Sequence, residues 1–226
     1  MSSPVNGTNG TNGMAAVMNG LMVGVDSMTP DALFSYCSAR INGIDAQVKG
    51  AFAQQQRNND IQGAIGDAIG CLNRAITGGT DGSNQWGRAS IDFYWNAINK
   101  AGGPETPEGQ KLLGQLKAFA GSMSKSGDNS MIDLVSDGAK WDTYKKTYLD
   151  KTDKELPGWG GIDHDKIDTA VKSLTSMNDE LGKGGELEMI KLQSLMSQRQ
   201  LAIQMTTNLI QTLHDSSKTI AGNLHG

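Results

Sequence analysis

Apolar residues recur every seven positions along the first long stretch of the chain, and this spacing constrains the fold more than any other feature. One row comprises Cys37, Ile44, Ala51, Asn58, Ile65 and Leu72, and the adjacent row comprises Ile41, Val48, Gln55, Gln62, Ile69 and Ile76. Two such rows are typical of a coiled-coil helix. Thr29-Pro30-Asp31 supplies a capping hydroxyl, a proline and an early acid. The sequence therefore predicts one helix from residue 29 to about Thr77, roughly 70 Å long at 1.5 Å per residue.

The C-terminal stretch has three adjacent rows with the same spacing. They comprise Met189, Met196, Ile203 and Ile210; Leu192, Arg199, Thr206, Leu213 and Ile220; and Leu195, Ala202 and Leu209. No charged residue lies between Gln200 and His214. A stripe this wide needs more than one packing partner, and we expect the N-terminal helix and a second copy of the chain to supply them. The spacing predicts helices over 162–181 and 186–221, with Gly182-Lys183-Gly184-Gly185 interrupting or bending the path between them.

Residues 78–160 differ from both helical stretches because they contain all four tryptophans and many Gly and Pro residues. We expect short helices around 87–100, 107–121, 129–135 and 138–150, forming a self-contained module that packs on its own aromatic residues. The predicted fold is thus all-α, a long antiparallel coiled-coil hairpin of N- and C-terminal helices with a small, mainly helical inserted module. Its predicted segments are 1–28, 29–77, 78–160 and 161–226.

Composition limits the class of protein. The net charge is −4, from 20 basic and 24 acidic residues, so no basic field indicates nucleic acid as a partner. The first 25 residues carry no charge and include an Asn/Gly/Thr tract, which predicts a disordered N-terminal segment over 1–28. No Lys or Arg precedes Arg40, so the basic region of a Sec signal is absent. No apolar run reaches the ~18 residues of a transmembrane helix, and we expect no transmembrane segment.

Motifs for chemistry are weak. Asp163-His164-Asp165 offers metal-ligand types, but its acids also suit the first turn of a helix. Ser122-Met123-Ser124-Lys125 matches the S-x-x-K pattern of serine-lysine enzymes without the later Lys-Thr-Gly triplet. Gly182-Lys183-Gly184-Gly185 lacks the spacing of a phosphate loop. The two cysteines, Cys37 and Cys71, lie too far apart on one helix to pair. We therefore expect no catalytic residue, no metal site and no cofactor.

The layout and the closing helix resemble a known family. The most specific segments are Glu188 to Arg199, Met205 to Ile210 and Ile220 to Leu224, and Met28 to Leu72 is similar to the family's opening helix. The chain resembles the needle-tip and filament proteins of bacterial type III secretion systems, the EspA-like and LcrV-like group, and above all the self-polymerising members. The middle module departs from this family, because it is longer than the EspA-like insert.

The resemblance implies a secreted, non-enzymatic structural protein that assembles with itself at a needle tip or in a filament. It also implies that the disordered segment 1–28 serves in export. Implied partners are the needle subunit, translocator pore proteins and a cytosolic export chaperone. We expect the coiled coil and the self-assembly surface to use Ile41, Ile44, Val48, Ile65, Leu72, Met189, Leu192, Met196, Ile203, Leu209, Ile210, Leu213 and Ile220. The alternatives are a cytosolic coiled-coil adaptor, a small hydrolase module mounted on a coiled coil, and a pore-forming translocator, which the missing apolar run disfavours.

Overall fold

The computed structural model describes residues 29–77, 79–149, 156–161 and 163–224, so the predicted export segment at 1–28 lies outside the described residues. Six α-helices occur in this part of the chain, and a π-helical turn, Lys145–Leu149, follows the fifth. The helices are α1 (Pro30–Thr77), α2 (Gly79–Lys100), α3 (Pro107–Met123), α4 (Ser130–Val135), α5 (Gly138–Tyr144) and α6 (His164–Leu224). Most of the described residues are helical, and they form no strand. The prediction of an all-α fold is confirmed.

Local capping groups set several of the helix ends. The Thr29 hydroxyl accepts a hydrogen bond from the Ala32 N–H at 3.3 Å, and α1 ends at Thr77 as its pattern predicts. The Thr106 hydroxyl caps α3 by accepting from the Gly109 N–H at 3.1 Å. A Cβ at Gly109 would lie 1.9 Å from the carbonyl oxygen of Gly103, so only glycine fits this close approach. The turn between α2 and α3 thus packs closely on Gly109, and it also needs glycine at Gly102 and Gly103, whose φ angles are 97° and 98°.

Helix α6 runs without interruption through Gly182-Lys183-Gly184-Gly185, so the predicted break between two helices is wrong. Glycine in a helix interior costs about 1 kcal/mol relative to alanine, whereas extending an established helix is favourable at most other residues. Long helical flanks on both sides therefore carry the helix across the glycines. The Gln62 side chain on α1 supports this region by donating from Nε2 to the backbone oxygen of Asn178 at 3.2 Å.

The chain forms two compact units, whose limits differ from the predicted segments. The two-helix unit contains the described residues up to Gly50 together with those from Leu192 onwards. The helical body contains Ala51–Lys191. Each long helix contributes to both units, whereas the predicted boundaries at residues 78 and 160 fall inside the helical body.

One hydrophobic core fills the helical body and includes residues from α1 and α6. Its buried members from these two helices include Ile61, Ile65, Ala68, Leu72, Ile167, Leu174 and Met177. The intervening helices contribute Ile91, Tyr94, Ile98, Leu112, Leu116, Met131 and Trp141. Trp95 and Trp159 are buried here as well, and the side chain of Trp86 lies outside the described part. The aromatic residues thus pack against the long helices rather than forming a core of their own, because each short helix has an apolar face that its neighbours alone do not cover.

Candidate assembly surface

The first predicted row of α1 is buried along its whole length. Within the two-helix unit, Cys37 and Ile44 are buried, and the adjacent Ile41 and Val48 are half-buried. Within the helical body, the same row continues through buried side chains at Ala51, Asn58, Ile65 and Leu72. The seven-residue spacing therefore identifies the packed face of this helix, including Asn58, a polar residue within it.

Two of the three rows of α6 face the interior of the two-helix unit. Leu192, Leu195 and Ala202 are buried, whereas Leu209 and Leu213 are half-buried. Burial decreases towards the C-terminal end, and Ile220 is 62% exposed.

An ion pair joins α1 to α6 in the two-helix unit. The Arg199 Nε–H donates to Asp45 Oδ1 at 2.6 Å, with both side chains partly exposed. Sequence reasoning noted Arg199 as a charge inside an apolar row but did not find its partner. The sequence signal for this partner is the position of Asp45 immediately after Ile44, a member of the α1 row, because this position places a carboxylate beside the packed face.

The third row of α6 is exposed. Met196, Ile203 and Ile210, which we call the outer row, have 55%, 39% and 50% of their surface exposed. Because successive residues on a helix differ by about 100°, this row lies about a quarter-turn from the buried row of Leu195 and Ala202. Met189, which has the same spacing but belongs to the helical body, is 43% exposed.

The surroundings of the outer row are polar but uncharged over much of its length. Gln200 and Thr207 are exposed three residues before Ile203 and Ile210, and no charged residue occurs from Gln200 to His214. The Thr207 hydroxyl donates to the Ile203 carbonyl at 2.9 Å, so it is already satisfied within the helix. A partner that covers this surface thus buries little unpaired charge.

The helical body contains a groove between α3 and α6. Its volume is about 470 Å³, and its lining includes Tyr94, Gln115, Phe119 and Ala170. The Tyr94 ring is fully buried and stacks on Phe119 with ring centroids 5.9 Å apart. Burial raises the pKa of Tyr94 above its usual range, so the phenol is neutral at physiological pH. Sequence reasoning did not find this groove, since its lining comes from three separate helices.

The weak motifs for chemistry have structural roles. The Ser122 hydroxyl donates to the Phe119 carbonyl at 2.7 Å, and the Ser122 carbonyl accepts from Lys166 Nζ at 2.9 Å. Asp163 Oδ1 accepts from the Asp165 N–H at 3.1 Å, which is the first-turn role expected of such an acid. Over the described ranges, no group of three or more His, Cys, Asp and Glu side chains is arranged to hold a metal ion.

Both cysteines are buried, and neither forms a disulfide. Burial raises the pKa of the Cys71 thiol to about 11, with a smaller opposing effect from the charge of Arg74. The thiolate is the reactive form, so Cys71 is unreactive near neutral pH.

No helix within the described part of the chain is long and apolar enough to cross a membrane. Comparison with protein families, with curated proteins and with solved structures finds no match to this chain.

Proposed function

We propose that this protein is an extracellular structural component of a type III secretion apparatus, which assembles with copies of itself at the needle tip or as a filament. In this role it guides translocators or effectors towards a host cell and catalyses no reaction. The observation that carries the self-assembly part of the proposal is the exposed outer row, Met196, Ile203 and Ile210, of which Ile203 and Ile210 lie on the uncharged stretch of α6. The apparatus itself is proposed from the sequence resemblance.

The outer row has the properties of a surface that is covered on assembly. Fully burying one such side chain contributes about 1.5–3 kcal/mol, and these side chains are already about half covered, so each has roughly 1 kcal/mol left to gain. A contact that uses the row on both partners repeats this gain at every subunit. The gain is small for a single pair, which favours an assembly with many repeated contacts over an isolated dimer.

A coiled-coil hairpin of α1 and α6 is part of the proposal. In the two-helix unit Asp45 pairs with Arg199, and in the helical body Gln62 bonds to Asn178. The buried seven-residue row of α1 supports the same arrangement.

The remaining partners follow from the resemblance alone. They are the needle subunit, the translocator pore proteins and a cytosolic chaperone that shields the apolar surface of α6 before export. The predicted export segment at 1–28 lies outside the described residues.

Electron microscopy of the purified full-length chain tests self-assembly. We expect rings or filaments that grow with protein concentration and with added sulfate, since this salt strengthens apolar association. A protein that stays monomeric under all these conditions contradicts the proposal. In the native bacterium, we expect the protein in the culture medium only when the type III export machinery is intact. Retention in the cytosol favours the coiled-coil adaptor instead.

A further inference from the structure

The most accessible sulfur atoms in the described part of the chain belong to two methionines of α6. Met196 in the outer row is 55% exposed, and Met189 in the helical body is 43% exposed. Met205 is half-buried, and both Cys37 and Cys71 are buried. The other described methionines are at most 2% exposed: Met123, Met131 and Met177. An oxidant in solution therefore reaches Met196 and Met189 before any sulfur atom of the core.

Peroxides oxidise an accessible thioether to a sulfoxide. The Met196 sulfur attacks one oxygen of hydrogen peroxide, so an S–O bond forms as the O–O bond breaks. The sulfur loses two electrons to the departing oxygen, which takes the proton of the transferred hydroxyl and leaves as water. The products are methionine sulfoxide and one water molecule, so the step needs no reactant besides the peroxide.

Oxidation of Met196 changes the chemistry of the outer row. A thioether packs as an apolar group, whereas a sulfoxide is polar and its oxygen accepts hydrogen bonds. The other members of the row, Ile203 and Ile210, have no donor in their side chains. The Ser197 hydroxyl already donates to the Gln193 carbonyl at 3.0 Å. A second copy packed on the outer row would thus bury a polar oxygen for which these side chains offer no partner, and such burial is unfavourable.

We propose that Met196 is a modification site for peroxide oxidants and that its oxidation switches off self-assembly through the outer row. The thioether form assembles, and the sulfoxide form stays monomeric. Methionine sulfoxide reductases restore the thioether with a dithiol, which becomes a disulfide and releases water, so the switch is reversible. This inference rests on the proposed self-assembly, whereas the oxidation of Met196 is measurable without it.

Peptide mass spectrometry locates the modification in the full-length chain. The monomer is treated with hydrogen peroxide, and the oxidised fraction of each methionine is followed over time. We expect Met196 and Met189 to oxidise at least ten-fold faster than Met131, which is fully buried. Oxidation of Met196 no faster than that of Met131 overturns the modification site. In assembled protein Met196 should oxidise at least five-fold more slowly than in the monomer, and equal rates overturn its link to assembly.

Sedimentation velocity measures the effect on assembly, as the protein concentration at which half of the chain is assembled. We expect peroxide to raise this concentration at least ten-fold for the wild type and for the matched control Met189→Leu, which keeps the Met196 thioether. Met196→Leu has no thioether at this position, so its value after treatment should stay within two-fold of its own untreated value. The five methionines that precede residue 29 are present in both variants and do not account for a difference between them. An equal effect of peroxide on the two variants overturns the proposal, as does unchanged assembly of wild type oxidised at Met196.

Met196→Gln tests the change in polarity without an oxidant. We expect this variant to keep the wild-type melting temperature, because residue 196 is exposed in the monomer, and to need at least a ten-fold higher concentration for assembly than Met196→Leu. Equal assembly of the two variants overturns the proposal. Treating oxidised wild type with the reductases and a dithiol should restore assembly, and failure to do so once Met196 is reduced also overturns it. An untreated wild type that never assembles contradicts the proposed function and the switch together, whereas the oxidation rates still decide the modification site.

Discussion

Asp92 connects two residues of the helical body through one carboxylate oxygen. Its Oδ1 accepts from the Trp141 indole N–H at 2.8 Å and from Lys145 Nζ at 2.9 Å. Because Trp141 is only 1% exposed, water has little access to its indole N–H. The hydrogen bond to Asp92 therefore satisfies a donor that would otherwise be buried without a partner.

Replacing Asp92 by alanine leaves the buried indole N–H unpaired. We expect the free energy of unfolding to fall by about 1–3 kcal/mol, the cost of one buried unsatisfied group. Urea unfolding measures this change. Asp142→Ala is the matched control, because Asp142 is 63% exposed and lies 3.8 Å from the same Lys145. Equal losses in both variants would contradict the role given to the indole hydrogen bond.

At the scale of elements, helix α6 is continuous although it contains a run of glycines. A Cβ added at Gly184 or Gly185 would meet no atom within 4 Å, whereas a Cβ at Gly182 would lie 3.2 Å from Gln62 Nε2. The helix therefore tolerates these glycines without needing them for close packing at the last two positions.

Replacing both Gly184 and Gly185 by alanine is expected to stabilise the protein. Each change contributes about 0.4–1 kcal/mol, because alanine restricts the unfolded chain and favours the helix. Gly182→Ala should gain less, since the Gln62 side chain has to move. Thermal unfolding followed by circular dichroism compares these two variants with the wild type. A lower melting temperature in Gly184→Ala/Gly185→Ala would show that the run needs glycine at these positions.

Helix positions were largely predictable, because their signals are local. The rows of α1 follow from a seven-residue spacing, and the starts of α1 and α3 follow from Thr-Pro pairs that cap helices. The continuity of α6 was not predictable from its glycine run. A local glycine signal indicates a break, but the favourable residues on both sides outweigh it.

At the scale of the whole molecule, the hydrophobic core of the helical body joins the long helices to the short ones. Ile61, Ile65 and Leu72 of α1 belong to the same core as Trp141 and Leu116. Sequence reasoning separated them because the tryptophans cluster in one segment of the chain. Clustering along the sequence does not show which surfaces those side chains cover. The Asp45–Arg199 pair and the groove at Tyr94 were missed for a related reason, since their residues meet only in the folded chain.

Replacing residues 80–159 with a short Gly/Ser linker should therefore remove cooperative folding of the helical body. The buried face of α1 at Ile61, Ile65 and Leu72 would become exposed, and each lost burial costs about 1.5–3 kcal/mol. Calorimetry of the shortened chain measures the transition. A sharp transition close to that of the wild type would show that the long helices need no support from the short ones.

The central claim is that the outer row of α6 mediates self-assembly, and sedimentation velocity with a pair of adjacent lysine substitutions tests it most directly. Ile203 is in the outer row, and Ala202 is buried in the two-helix unit. Ile203→Lys should keep the wild-type melting temperature and sediment as a monomer, because burying a lysine at the contact costs several kcal/mol. Ala202→Lys should lower the melting temperature, and Asn208→Lys, at an exposed position outside the outer row, should assemble as the wild type does. A wild-type protein that is monomeric at all concentrations and salts, or an Ile203→Lys variant that assembles normally, would contradict the account.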